Sequence, residues 1–460
     1  MKKTVTIIFC TLLVLVLAYV GASYYVERQA LKFHNQFIEQ INSSKELKAT
    51  VVAYKKGLLS SQALTKLTLL DAQKGHSISF EVVDTIYNGP FVFLHDRHFQ
   101  GGLRPVMAVI RTRLAPEAGL KEAFKKVPEL SSAELLTVLG IEGGVDSYLE
   151  VPAFHHSFKD KKGETTDVKW GGLTGKVHVG KKDGESLGSC DCPLLLVSGK
   201  EGQVRMDGLK GNFDTHAGIK GVEVGASVFS IGNIEAIEKG QSIFSLVSLE
   251  LKAQSKLEAD KINGSLGVNF NKLNTGKLEM GPFSIVFEAR KLDPVVLARF
   301  QKVAGMLQRE EFYNDKAAKN KMEALLTKLG EQLLARRPEF ELKQLELRTS
   351  KGDLSAKASL GFDGAGKNLS QNPLLLLTSV DASVQLSVSQ ALFFFVAQNE
   401  LSNGNTSDPD KVKTDAQNLA ARLLAAKYMV SDSGAFKSSA AFKNGALTIN
   451  GNKLGLSKMH

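Results

Sequence analysis

The longest uninterrupted run of apolar residues lies at the start of the chain. Lys2 and Lys3 precede an uncharged stretch from Thr4 to Tyr25, and the next charge is on Glu27. A helix needs about 20 such residues to cross the hydrocarbon core of a bilayer. The two lysines favour a cytoplasmic N-terminus. The pattern therefore predicts a transmembrane anchor over residues 1–25, with the rest of the chain outside the cytoplasm.

A cleaved signal peptide is the alternative interpretation of the same segment. Val20-Gly21-Ala22 has the small residues that precede a cleavage site. The apolar core is long for a signal peptide, however, and Tyr24 and Tyr25 continue it with aromatic residues typical of the membrane interface. We therefore favour an uncleaved anchor, and the sequence leaves cleavage open.

Much of the chain beyond the anchor alternates between apolar and polar residues. Leu64–Leu69 and Ser77–Val82 alternate with period two, which is the pattern of half-buried strands. Short apolar runs separated by glycines continue from Val204 to Glu288, as in an antiparallel β-meander. Short helices are expected at Pro116–Val127 and Ser131–Leu139.

The pattern changes to helical spacing after Leu292. Asp293 is suited to cap a helix and Pro294 to occupy its first position. Apolar residues then recur every three or four positions in two runs that end before Pro338. Strands return after it, a last helical block covers Asp410–Lys427, and Asn444-Gly445 predicts a two-residue type I′ hairpin turn.

These patterns predict an α+β fold, in which an N-terminal transmembrane helix is followed by curved antiparallel β-sheets with packed helices. The predicted domains are an anchor at 1–25, a β-rich extracytoplasmic domain with short helices at 26–291, and a helix-plus-sheet extracytoplasmic domain at 292–460. Two or three domains are also what the length of 460 residues favours.

Composition and charge make several classes of function improbable. Hydrophobic residues make up 43% of the chain and charged residues 23%, as in ordinary globular proteins. The net charge of +10 is mixed with acidic residues and forms no basic block with aromatics, so we expect no nucleic-acid partner. Outside the predicted anchor only Cys190 and Cys192 remain, which excludes a disulfide framework.

Five short motifs occur in the order found in one family of envelope proteins. They are Tyr54 to Ser61, Tyr87-Asn88-Gly89-Pro90, Trp170 to Gly175, Arg337 to Phe340, and Leu447-Thr448-Ile449-Asn450-Gly451. In these motifs the chain resembles the YdgA-like family, bacterial envelope proteins built around a domain of unknown function. Asn88 stands where that family usually has His. The resemblance implies a single-pass protein of the bacterial inner membrane with a cytoplasmic N-terminus, a periplasmic β-rich body and no established catalytic residues.

The motif residues belong to types that shape turns and cores. Gly57, Gly89 and Gly175 can adopt backbone conformations that other residues resist, and Trp170 is expected to anchor a core. The motif residues to which we assign a structural role are Tyr54, Gly57, Gly89, Pro90, Trp170, Gly175, Asn450 and Gly451.

Cys190-Asp191-Cys192-Pro193 is the sharpest local signal for chemistry. A C-x-C pair can bind a soft metal or close a strained disulfide, but a zinc site needs two further ligands that the spacing does not supply. His95, His98 and the pair His155-His156 are interpreted as surface residues. No nucleophile-elbow, metalloprotease or phosphate-loop motif is present. We therefore expect no enzyme, no cofactor and no metal; a metal or thiol-redox enzyme using Cys190 and Cys192 is the alternative.

Phe393-Phe394-Phe395 forms an apolar block between polar flanks. Burial in a core is one interpretation, and the lining of a groove for a ligand or partner is the other. Together with the alternating strands, the block favours a non-enzymatic structural, interaction or hydrophobic-ligand-binding module of the envelope. We expect its partners to be the inner membrane and a lipid or another envelope protein. The sequence leaves homo-oligomerisation and the identity of the ligand open.

Overall fold

A computed structural model describes residues 35, 38, 39, 41, 42 and 47–454, apart from residues 58, 71–76, 90, 93–95, 100–104, 116–119, 160–162, 182–183, 220–221, 277, 308–315, 364–378 and 404–408. Strands account for 62% and helices for 21% of this part of the chain.

The expected fold class is wrong, because the chain is mostly antiparallel β-sheet rather than α+β. An N-terminal transmembrane helix is not supported either. The predicted anchor, residues 1–25, lies outside the described residues, and no helix within them is long and apolar enough to cross a membrane.

One predicted helix is largely a strand. The segment predicted to be helical at Ser131–Leu139 forms the strand Glu134–Gly140 instead. Leu136, Val138 and Leu139 are all buried, so both faces of this strand are covered. A strand that is apolar on both faces loses the period-two alternation, and its pattern then resembles that of a buried helix.

The chain divides into two compact units. Unit 1 comprises Met1–Gln203 and Asp207–His216, and unit 2 comprises Val204–Met206 and Ala217–His460. The predicted domain boundary between residues 291 and 292 falls inside unit 2, at the end of the strand Glu279–Leu292. This strand pairs with Glu339–Thr349, and two helices lie between the two strands in the sequence.

Unit 1 is an antiparallel sheet with short helical turns. Its strands are β1 (Leu47–Lys55), β2 (Ser60–Leu70), β3 (Ser77–Asn88), β4 (Val106–Leu114), β5 (Glu134–Gly140), β6 (Val145–Val151), β7 (Phe154–Lys159), β8 (Thr165–Trp170), β9 (Leu173–Val179) and β10 (Ser186–Ser198); helix α1 (Lys121–Lys126) and a 3-10 turn (Pro128–Ser132) precede β5. Strand β11 (Gly202–Ala217) contributes to both units.

The strands of unit 1 pair in the order β1-β2-β3-β4-β5-β6-β9-β10. Strands β7 and β8 continue β6 and β9 in the same register, so β7 pairs with β8, and β8 pairs with the C-terminal part of β10. Its core occupies both faces of the central strands. Val109 and Leu136 belong to one buried cluster, and Ile86 and Ala108 belong to another on the opposite face. The centre of this sheet is therefore fully packed.

Unit 2 is a longer antiparallel sheet with two helix pairs. Its strands are β12 (Glu223–Glu238), β13 (Gln241–Glu258), β14 (Lys261–Phe270), β15 (Lys272–Asn274), β16 (Glu279–Leu292), β17 (Glu339–Thr349), β18 (Gly352–Phe362), β19 (Val380–Ser389), β20 (Val430–Asp432), β21 (Ala435–Lys443), β22 (Ala446–Ile449) and β23 (Asn452–Leu454). Its helices are α2 (Pro294–Leu307), α3 (Lys316–Leu334), α4 (Gln390–Asn403) and α5 (Pro409–Ala425).

The main strands of unit 2 pair in the order β12-β13-β14-β16-β17-β18-β19-β21-β22-β23. Strand β15 pairs with β13 and β16, and β20 pairs with β21. Since consecutive strands are mostly neighbours, the sheet is a meander, and the helix pairs lie in the long connections from β16 to β17 and from β19 to β20.

Two local predictions in unit 2 are confirmed. The side chain of Asp293 accepts hydrogen bonds from the backbone N–H groups of Val295 and Val296, at 3.0 and 3.2 Å, and so caps helix α2. Asn444 and Gly445 have φ values of 51° and 74° and join β21 to β22 in a two-residue turn.

The cap of α2 is also an electrostatic site. Burial of Asp293 opposes its ionisation, but the N–H of Val296, the Lys261 ammonium 3.5 Å away and the N–H of Val295 together lower the pKa of its carboxyl below the usual value. The ionised form therefore stabilises the fold above the unfolded-state pKa of about 3.9, and this contribution is lost as the pH falls through the native pKa.

We predict that Asp293→Ala lowers the free energy of unfolding by about 1 kcal/mol at neutral pH, through loss of the cap and its charge. The deficit relative to the wild type should begin to shrink as the pH falls below the unfolded-state pKa of about 3.9, and should shrink further as the pH passes the lower native pKa of the Asp293 carboxyl. Urea unfolding between pH 3 and pH 7 measures both effects, and Asp293→Asn, which keeps a capping oxygen, is the matched control. Equal stability of wild type and the Ala variant at pH 7 would contradict the assignment.

Candidate functional site

The phenylalanine block predicted from the sequence lies in helix α4. The rings of Phe393 and Phe394 meet the ring of Phe436 edge-on, with centroids 5.0 and 5.9 Å apart. Phe436 is buried and belongs to a core cluster between α4, α5 and the sheet, to which Met429 also contributes. The third ring, Phe395, lies 5.8 Å from the ammonium of Lys351. Two of the three rings thus contribute to packing within unit 2.

The first two family motifs meet in a small hydrogen-bonded junction, where β2 begins and β3 ends. The hydroxyl of Ser61 accepts a hydrogen bond from the N–H of Gly57, and the Asn88 amide donates to both residues at 3.4 Å. A Cβ at Gly57 would lie 2.0 Å from the carbonyl oxygen of Ser60, so glycine is required there. Tyr54 packs against the neighbouring core cluster.

The other motif residues lie in strands and turns. Gly89 has a φ of 125°, and Trp170 ends β8, where it pairs with Leu195 of β10. Gly175 lies in β9 opposite Cys190, and Asn450 bridges backbone groups of Ser439 and Lys427 through its side chain. Gly451 completes the β22–β23 turn with a φ of 78°, whereas Pro90 lies outside the described residues.

Cys190 and Cys192 lie two positions apart on strand β10, and both are free thiols. Burial raises the pKa of the Cys192 thiol above its usual value, which disfavours the thiolate needed for metal binding or exchange. In the part of the chain that the structure describes, no group of three His, Cys, Asp or Glu side chains could hold a metal ion.

The described histidines do not converge on the cysteines. His178 pairs with Asp146 at 2.7 Å and His156 with Glu129 at 2.8 Å. His98 stacks on the ring of Tyr148 with centroids 4.7 Å apart, and His95 lies outside the described residues. These contacts are local pairs, and they assemble no catalytic or metal-binding group with Cys190 and Cys192.

The most distinctive surface is the sheet of unit 2, whose two faces differ in polarity. One face, the charged face, carries an ion-pair network on β16 and β17. Arg290 pairs with Glu341 at 2.5 Å, Lys343 pairs with Glu288 at 2.7 Å, and Lys291 pairs with Glu339. Because successive side chains of a strand point to opposite faces, the residues between these charged positions lie on the other face.

The other face carries two parallel rows of apolar residues that cross the strands. The central row is Leu266, Phe287, Leu342, Ala358 and Val384, which are directly paired across β14, β16, β17, β18 and β19. The second row, two positions along each strand, is Gly264, Ala289, Phe340, Leu360 and Ala382. Neither row contains a charged residue or a side chain that donates a hydrogen bond.

The two helix pairs cover the ends of this apolar face. Leu297 of α2 and Leu333 of α3 pack beside Phe340, in a cluster built on Ile262 and Leu292. At the opposite end of the strands, α4 and α5 pack on Val388 and Phe436. The middle of the face lies between these two regions of helix packing.

The uncovered middle forms a groove of about 640 Å³, lined by both rows. Large apolar side chains remain accessible in it: Leu266 is 51% exposed, Phe287 47% and Val384 47%. Sequence analysis did not identify this groove. The alternation in each strand showed that one face is apolar, but the cross-strand register that aligns the rows is a tertiary property.

The fold and this surface define a class: a β-sheet protein that exposes an apolar groove between helix pairs. The family to which the chain belongs is DUF945, described as a bacterial protein of unknown function, whose profile matches residues 1–457. No curated protein and no solved structure matches the chain.

We predict that Phe394→Asp lowers the free energy of unfolding by about 3 kcal/mol or more, because it places a carboxylate against Phe436 in the α4–α5 core. Val396 on the same helix is 50% exposed, so Val396→Asp is the matched control and should change stability little. Thermal and urea unfolding of the two variants measure the difference. Wild-type stability of the Phe394 variant would show that this ring does not contribute to the core.

Proposed function

We propose that the protein is a non-enzymatic binding module that holds a hydrophobic ligand in the groove of unit 2. The observation that supports this is the exposure of aligned apolar side chains in a concave surface. Soluble proteins seldom leave a contiguous apolar patch uncovered unless it binds something. A volume of about 640 Å³ falls in the range of small-molecule sites.

The chemistry of the groove favours binding over catalysis. A catalytic site gathers titratable groups with shifted pKa values in a cleft. The ion pairs of β16 and β17 lie on the charged face, and the side chains of the two rows carry no acid, base or nucleophile. An apolar lining without convergent polar groups suits a ligand held by burial of its surface.

We also propose that this binding takes place outside the cytoplasm, in a protein of the YdgA-like type. The support comes from the sequence, in which Lys2 and Lys3 precede a long apolar run. A reporter that is active only outside the cytoplasm, fused after His460, should be active. The same reporter fused to a chain that lacks residues 1–25 is the control and should be inactive. Activity of a cytoplasm-specific reporter at His460 would contradict the proposed location.

The groove is tested by replacing its exposed residues. Leu266→Ser and Phe287→Ser should each weaken binding of a polarity-sensitive apolar fluorophore about tenfold, since a half-exposed large side chain contributes about 1.4 kcal/mol when a ligand covers it. Val286→Ser, on the charged face of the same strand, is the matched control and should bind as the wild type does.

Fluorescence titration of the purified variants measures the affinities, and mass spectrometry of the wild-type protein identifies co-purifying hydrophobic molecules. Equal affinity for the wild type and both groove variants would refute the proposed site.

A further inference from the structure

We propose that the ligand is the acyl chain of a lipid, and that it lies across the strands, along the central row. This inference rests on the proposed function and assigns the ligand class and its direction. It follows from the shape of the groove, from the apolar side chains of its two rows and from the hydrogen bonding of its strands.

The shape of the groove is long across the strands and short along them. Its lining extends from Gln254 on β13 to Val384 on β19, but it includes only the two apolar rows and the positions between them. The five strands of the central row are separated by four spacings of about 4.8 Å, which makes the row about 19 Å long. The rows are two residues apart, or about 7 Å.

These dimensions match an extended hydrocarbon chain. One leaflet of a bilayer, half of a hydrocarbon core of about 30 Å, holds acyl chains about 15 Å deep. A row of about 19 Å can therefore accommodate one such chain.

The backbone beneath the groove offers no free hydrogen-bonding groups. Strands β16, β17 and β18 are each paired with a neighbour on both sides. An extended peptide in the groove would bury its own N–H and C=O groups without partners, at a cost in free energy. An acyl chain carries no such groups and incurs no such cost.

The absence of charge on both rows of the groove also favours an acyl chain as the ligand. The charged side chains of β16 and β17 form ion pairs on the opposite face, while both rows of the groove are neutral. A neutral surface without donors complements an uncharged aliphatic chain. The small residue Ala358 leaves room for that chain between Leu342 and Val384 in the central row.

The test uses tryptophans at the two ends of the central row. Trp170 is the single native tryptophan, so Trp170→Phe removes the native tryptophan fluorescence. The substitution breaks no hydrogen bond, because the indole N–H of Trp170 has no partner among the described residues. In the Trp170→Phe protein, Leu266→Trp and Val384→Trp are made separately. Both positions are about half exposed and can accept a larger side chain. Lys357→Trp, which lies between the alternate positions Ala356 and Ala358 of β18 and so faces away from the groove, is the control.

Each variant is titrated with 16-carbon fatty acids that carry bromine near the carboxyl end or near the methyl end. We expect one tryptophan to be quenched at least twofold more strongly by the first probe and the other tryptophan by the second, with no quenching at Lys357→Trp. A chain along the strands would quench both groove tryptophans with the same preference. That result would overturn the inference while leaving the proposed function standing.

A second measurement needs no variant. The affinity of the wild-type protein for saturated fatty acids should rise about fourfold per methylene and stop rising when the chain fills the row. Affinity that keeps rising well beyond that length would overturn the assignment of the row as the binding site. If neither fatty acids nor the apolar fluorophore binds, the proposed function itself fails.

Discussion

The cross-strand register of unit 2 is the constraint on which its surface depends. Antiparallel pairing places Leu266, Phe287, Leu342, Ala358 and Val384 side by side, and it separates them from the ion pairs on the opposite face. Because side chains alternate with period two, a slip of one residue would move an entire strand's apolar set to the charged face. The register is therefore fixed by the burial of the apolar face against the helices at its two ends.

The helices determine how much of this face remains open. Helix α2 begins directly after β16, where Asp293 caps it, and α3 leads back to β17. Helix α4 begins directly after β19. Both pairs therefore pack near the ends of the strands that they connect, and the middle of the sheet stays uncovered. An additional helix over the middle would complete an ordinary core, so the groove results from where the helices pack as much as from apolar composition.

In unit 1, by contrast, the apolar residues at the centre of the sheet are covered. Its central strands are buried on both faces, in the clusters that contain Val109 and Ile86. Within the described residues, all six buried side-chain atoms without a hydrogen-bond partner belong to unit 1, on Tyr54, Thr65, Asn88, Arg111, Trp170 and Asp191. The polar groups of unit 1 are thus enclosed, whereas the groove of unit 2 exposes apolar groups and buries no unpaired polar side chain among the described residues.

The sequence by itself determined the local features of this protein. The Asp293-Pro294 helix start, the Asn444-Gly445 turn and the many alternating strands depend on contacts between near neighbours, which residue type specifies. It did not determine the strand at Glu134–Gly140, because burial on both faces removes the alternation that distinguishes a strand. Tertiary structure alone decided which apolar side chains stay exposed. Phe393 and Phe394 pack in a core while Phe287 does not, since coverage depends on where distant helices lie on the sheet.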